Sequence, residues 1–101
     1  MATPLERLRD KTTTEVLWIY ILRLLSEKAL YAYELSAALK KRFGFASAKI
    51  TSYVVLYRLE SAGYVRSKWE GGKKYYHMTP EGKKLLQDGR KYLKELAKSV
   101  D

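Results

Sequence analysis

Two glycines, Gly71 and Gly72, divide the stretches YVRSKWE (64–70) and KKYYHMT (73–79), and this feature constrains the fold most. Both flanks alternate and carry aromatic and β-branched residues, so they read as strands. A Gly-Gly pair suits a two-residue hairpin turn, because glycine alone enters positive φ without penalty. The turn then sets the register: Glu70 faces Lys73, Trp69 faces Lys74, Lys68 faces Tyr75, Ser67 faces Tyr76, Arg66 faces His77 and Val65 faces Met78. Side chains alternate across a pleat, so Val65, Met78, Ser67 and Tyr76 share the inward side. Arg66, His77, Lys68, Tyr75, Glu70 and Lys73 share an outer, largely basic side. Thr79-Pro80-Glu81 follows at once, the order of a helix N-terminus: a hydroxyl cap, a proline at the first position, a carboxylate at the positive dipole end. That helix is expected to run to about Ser99.

Upstream of the hairpin the pattern is helical. Residues 14–28 are apolar on nearly every side through Val16–Leu25, which predicts burial on more than one face, the second against a partner subunit. Residues 4–12 form a short leading helix or an arm. Residues 32–42 make a second helix, with Lys40, Lys41 and Arg42 at its negative dipole end and Gly44 as its stop. Residues 48–62 make a third, with Ser47 as a candidate cap and Gly63 as its end; Ile50, Val54, Leu56 and Leu59 are expected in the core. In the last helix Leu86, Gly89, Leu93, Leu96 and Val100 keep 3–4 spacing, flanked by Leu85 and Tyr92, a seam for helix–helix association.

The order helix, helix, helix, hairpin, helix predicts a mainly α chain with a small β-hairpin: a winged helix-turn-helix over 14–79, its wing at about 64–79, and a dimerisation helix over 80–100, all within one domain of 101 residues. At 47 % hydrophobic residues the chain is globular, and no apolar run is long enough to span a membrane. With no signal-peptide pattern either, it is expected in the cytoplasm.

Charge narrows the function. The net charge is +9, and residues 40–74 hold nine basic against two acidic residues, whereas residues 1–39 balance. A positive field concentrated in the middle third implies a polyanionic partner, duplex DNA before an anionic membrane. The absence of cysteine excludes disulfides, thiolate metal sites and a cysteine nucleophile. His77 is the sole histidine, read as a surface strand residue with no converging ligands, and no nucleophile–base pair stands out. No metal, no cofactor and no enzymatic activity are expected.

The stretches Tyr31-Ala-Tyr-Glu-Leu35, Tyr53-Val-Val-Leu-Tyr-Arg-Leu-Glu60, Gly63-Tyr-Val65 and Gly72-Lys-Lys-Tyr-Tyr-His-Met-Thr79, then Glu81-Gly82, resemble the PadR-like winged-helix transcriptional regulators over roughly residues 14–100. The Arg58-Leu-Glu60 helix end and Lys74-Tyr-Tyr76 before Thr79 carry most of that resemblance. It departs at Ser52-Tyr53-Val54, where the family usually has Leu-Tyr-Pro, and in a short wing turn. The resemblance implies a homodimer with its third helix in the major groove, the wing on the backbone or minor groove, an interface of terminal and first helices, and in many members repression relieved by a small aromatic effector.

On that frame Lys49, Thr51, Ser52 and Tyr53, on the first turns of the third helix, are candidate contacts to bases and phosphates. Arg66, Lys68, Lys73, Lys74 and Tyr75 are candidate contacts from the wing. Arg58 is open between DNA and a carboxylate partner. Trp18, Leu22, Leu86, Gly89, Leu93, Leu96 and Val100 are the candidate dimer interface, and Trp18, Tyr92 and Leu96 a candidate effector pocket. Two other functions fit the same charge: a non-specific architectural DNA binder and a winged-helix module for an acidic protein partner.

Overall fold

The computed structural model describes residues 3–44 and 49–101, without the side chain of Lys49. The candidate cap Ser47 lies outside the described residues. Among the described residues five helices and three strands follow in the order α1 (Pro4–Lys11), α2 (Leu17–Leu25), β1 (Leu30–Tyr31), α3 (Ala32–Phe43), α4 (Lys49–Ser61), β2 (Val65–Glu70), β3 (Lys73–Met78) and α5 (Pro80–Ser99).

The leading segment is a helix, capped by Thr3, whose Oγ1 accepts the Glu6 amide at 3.1 Å. Thr12, Thr13 and Thr14 break it from α2: the hydroxyls of Thr12 and Thr13 donate back to the carbonyls of Leu8 and Asp10, which favours a turn over helix propagation. The first long helix therefore starts at Leu17, not at residue 14. The Tyr20 hydroxyl ties it back to the carbonyl of Thr12 at 2.7 Å.

α2 is the centre of the molecule, packed against α3, α4, β3 and α5. Leu17, Ile21, Leu22, Leu24 and Leu25 are all buried among Leu30, Leu35, Leu39, Leu56, Leu59, Val65, Tyr76 and Leu86. Its all-round apolar character is thus satisfied largely within one chain, and the expected second face against a partner is not required to explain it. α3 ends where Gly44 takes φ +75°, its amide donating to the Lys40 carbonyl at 3.0 Å.

The hairpin forms in the expected register, from Val65 opposite Met78 to Glu70 opposite Lys73. Gly71 and Gly72 both adopt positive φ, +56° and +80°, as a type I′ turn demands. Tyr76 is buried, as the alternation requires. The short strand β1 is an addition: Leu30 pairs with Tyr76 and Tyr31 with Tyr75, making β3 the centre of a sheet ordered β1-β3-β2. Two residues carry no readable period, so the sequence pattern had no means of showing it.

Thr79 locks the last helix to the body. Its Oγ1 accepts the Gly82 amide at 3.1 Å and donates to the Gly63 carbonyl at 2.6 Å, while its own amide donates to the Tyr64 carbonyl at 3.1 Å. Only the first half of α5 is packed. Every residue from Arg90 to Asp101 is exposed.

Candidate nucleic-acid interface

α3 and α4 are the two helices of a helix-turn-helix, and β2–β3 is its wing. Two contacts bind the end of α4 to the wing through Glu60. The Ser67 hydroxyl donates to one carboxylate oxygen, and Lys74 Nζ lies 3.8 Å from the other. Helix and wing are therefore held as one surface. Between them runs a cleft of about 650 Å³ lined by Tyr31, Tyr33, Tyr53, Tyr57, Trp69 and Lys73, among others.

On α4, Tyr53 is exposed and lines this cleft, whereas Thr51 is half-buried and is turned to the other flank of the helix. Ser52 is not: at 1 % exposure it is turned into the core, because it shares a face with Leu56 and Leu59. Its expected contact to DNA is corrected accordingly. The inverse correction applies to Ile50 and Val54, expected in the core and found 78 % and 43 % exposed. Lys49 opens the helix, and its side chain lies outside the described portion. Arg58 is exposed and lines a second groove, of about 690 Å³, along the other flank of the exposed face of α4 with Trp18, Ile50, Thr51, Tyr64 and Leu85.

On the wing, Arg66, Lys68 and Lys73 are exposed. Lys68 stands 3.6 Å from Glu70, a solvated pair that leaves its charge accessible, and Lys73 Nζ sits 4.5 Å from the centre of the Tyr31 ring. Lys74 differs. It is half-buried, paired with Glu60 and 5.4 Å from the Tyr76 ring centre, so it fastens the wing to α4 instead of projecting from the tip. Tyr75 is half-buried too, edge-on to Tyr31 at 5.5 Å, because β1 covers the strand face that a bare hairpin would leave open. His77 is half-buried, not a free surface residue, and its Nε2 is buried with no hydrogen-bond partner among the described residues.

The expected dimer residues divide by burial. Leu22 and Leu86 lie in the protomer's own core and have no surface to offer a second copy. Gly89 is closed over by Trp18 and Ile19 of the same chain: a Cβ there would lie 2.9 Å from Trp18 Cη2. Leu93, Leu96 and Val100 are exposed on the free half of α5, beside Tyr92. The groove lined by Trp18 takes in neither Tyr92 nor Leu96, so the three expected pocket residues do not meet in one cavity of this chain.

Trp69, expected near the wing tip against Lys74, is exposed there. The exposed aromatics Tyr33 and Tyr57 are the residues that sequence reasoning missed, since an aromatic content of 13 % says nothing of where the rings point.

A helix-turn-helix joined to a wing with exposed cations defines a DNA-binding transcription regulator. Residues 21–88 match the Transcriptional regulator PadR-like family, and the chain belongs to it. An uncharacterized protein from Lysinibacillus sphaericus is 35 % identical over 88 residues, 80 % of this chain and 81 % of its own. A transcriptional regulator from Clostridium thermocellum superposes with TM-score 0.78 at 28 % identity, covering 99 % of this chain and 94 % of that one. A PadR family transcription regulator from Clostridium difficile gives TM-score 0.76 at 28 % identity, over 82 % and 92 %. The chain is a regulator and not an enzyme, and among its described residues no helix is long and apolar enough to cross a membrane.

Proposed function

We propose that this regulator acts in the cytoplasm as a homodimeric repressor, placing α4 of each protomer in the major groove of a pseudo-palindromic operator. The wing lies on the adjoining backbone or minor groove. The observation that carries the reading is the joining of α4 to the wing through Glu60, with Tyr53 exposed on the helix and Arg66, Lys68 and Lys73 exposed on the wing. Cations on the wing suit phosphates, and side chains on the first turns of α4 suit base edges. Dimerisation is supported by the free half of α5, which presents Leu93, Leu96 and Val100 to solvent. The groove beside Trp18 is the place within the protomer for a small aromatic effector. Repression rests on the family likeness.

The test is binding to duplex DNA from upstream of the protein's own gene, against random duplex, across a salt series. Specific binding is expected, and equal affinity at physiological salt refutes the operator reading in favour of an architectural role. Each phosphate contact adds about 0.9 to the salt slope, so the Arg66→Ala/Lys68→Ala/Lys73→Ala variant should flatten it by about 2.7 per protomer, about 5.4 for the dimer. An unchanged slope would show that the basic face serves another partner.

A further inference from the structure

We infer that α4 reads thymine C5-methyl groups, with Ile50 and Val54 as the specificity-determining side chains. The inference rests on the proposed docking of α4 in the major groove and names what it reads there.

Ile50, Tyr53, Val54 and Tyr57 follow the spacing i, i+3, i+4, i+7, so they stand on one face of the helix. They are 78 %, 52 %, 43 % and 70 % exposed. The opposite face, with Ser52, Leu56 and Leu59, is buried in the core. What α4 presents to a groove is therefore a ridge of two aliphatic side chains and two phenols, flanked by the exposed Arg58. Each base pair lines the major groove with hydrogen-bonding atoms, but only thymine adds an apolar group. Ile50 and Val54 carry no donor or acceptor. Against guanine N7 and O6, or the amino group of cytosine, they displace water and return nothing, which costs free energy. Against a thymine methyl they bury apolar surface on both sides.

The placement of charge selects DNA as the occupant of this ridge. The exposed cations Arg66, Lys68 and Lys73 stand off the ridge on the wing, where phosphates would run while the ridge faces the bases. Glu60 joins the two parts through Ser67 and Lys74. Tyr53 and Tyr57 add hydroxyls at the end of an apolar ring, able to reach a phosphate or a base edge from the same face.

The experiment selects bound duplexes from a random pool with the full chain near physiological salt. Thymines of the recovered half-site are then replaced one at a time by uracil, which pairs identically and lacks only the C5-methyl. Dissociation constants follow by fluorescence anisotropy. Uracil at one or two positions of a half-site is expected to weaken binding about fourfold each, the value of burying one methylene-sized group. The Ile50→Ala/Val54→Ala variant, altered only at side chains that reach solvent and checked for fold by circular dichroism, should bind thymine and uracil forms alike. Affinity unchanged at every uracil overturns methyl reading and leaves the docking of α4 standing. Uracil sensitivity undiminished in the double variant overturns the assignment to Ile50 and Val54. Recovery of no enriched duplex overturns this inference together with operator binding.

Discussion

Replacing Gly82 by alanine tests how α5 is seated. In an ordinary helix interior the change stabilises by about 1 kcal/mol, since alanine loses less chain entropy and is the better helix former. Here a Cβ would lie 2.1 Å from the Tyr64 carbonyl oxygen and 3.0 Å from Met78 Cγ. Comfortable separations are near 3.5 Å, so either the first turn of α5 or the α4–β2 turn must move by about 1.4 Å. Overpacking of this kind costs about 1–3 kcal/mol, and a contact with backbone belongs at the upper end. The same carbonyl accepts the Thr79 amide at 3.1 Å, so shifting it threatens a further hydrogen bond of about 1 kcal/mol. The net expectation is a destabilisation of about 2–3 kcal/mol. For a chain of this size that lowers the melting temperature by roughly 10–20 °C. The assay is thermal unfolding by circular dichroism at fixed protein concentration, because the proposed dimerisation would make the midpoint concentration-dependent. Lys83→Ala, at the exposed next position, serves as a control and should change stability by less than about 0.5 kcal/mol. A neutral or stabilised Gly82→Ala protein would refute the reasoning, because helix propensity would then outweigh the contact.

Two further outcomes are expected. Leu93→Asp/Leu96→Asp places charge on the free half of α5, where both leucines are exposed, and should yield a folded monomer by light scattering coupled to size exclusion; an intact dimer would show that the interface lies elsewhere. Glu27, hydrogen-bonded by Arg42, has its carboxyl held below its ordinary value of 4.5. A lowered folded-state value contributes stability above the unfolded value and loses it as pH falls through the folded one. The melting temperature of the wild type should thus exceed that of Glu27→Gln near neutrality, with the gap closing below about pH 4.5; a gap independent of pH would contradict the ion pair.

The wing and the start of α5 were legible because their determinants are local. A Gly-Gly turn sets a strand register by geometry alone, and Thr-Pro-Glu announces a helix start through the hydrogen bonds and torsions of adjacent residues. The order of elements followed, and with it the winged-helix expectation and the exposure of Arg66, Lys68 and Lys73. Ser52, Ile50 and Val54 were misplaced for a different reason. In α4 polar and apolar residues are spread around the whole helix, so hydrophobic periodicity has no preferred face, and a buried serine beside an exposed isoleucine leaves no signature in the pattern.

By itself, then, the sequence determined the element order, the hairpin register, the cap of α5 and the basic middle third, all set by interactions over a few residues or by composition. Only the tertiary structure decided which face of α4 meets solvent, that Lys74 turns back to Glu60, that β1 covers Tyr75, and that Leu22 and Leu86 belong to the protomer's core. Those outcomes depend on which apolar faces compete best for a core only large enough to bury some of them. That competition is settled among segments distant in sequence, around α2, and no local pattern records it.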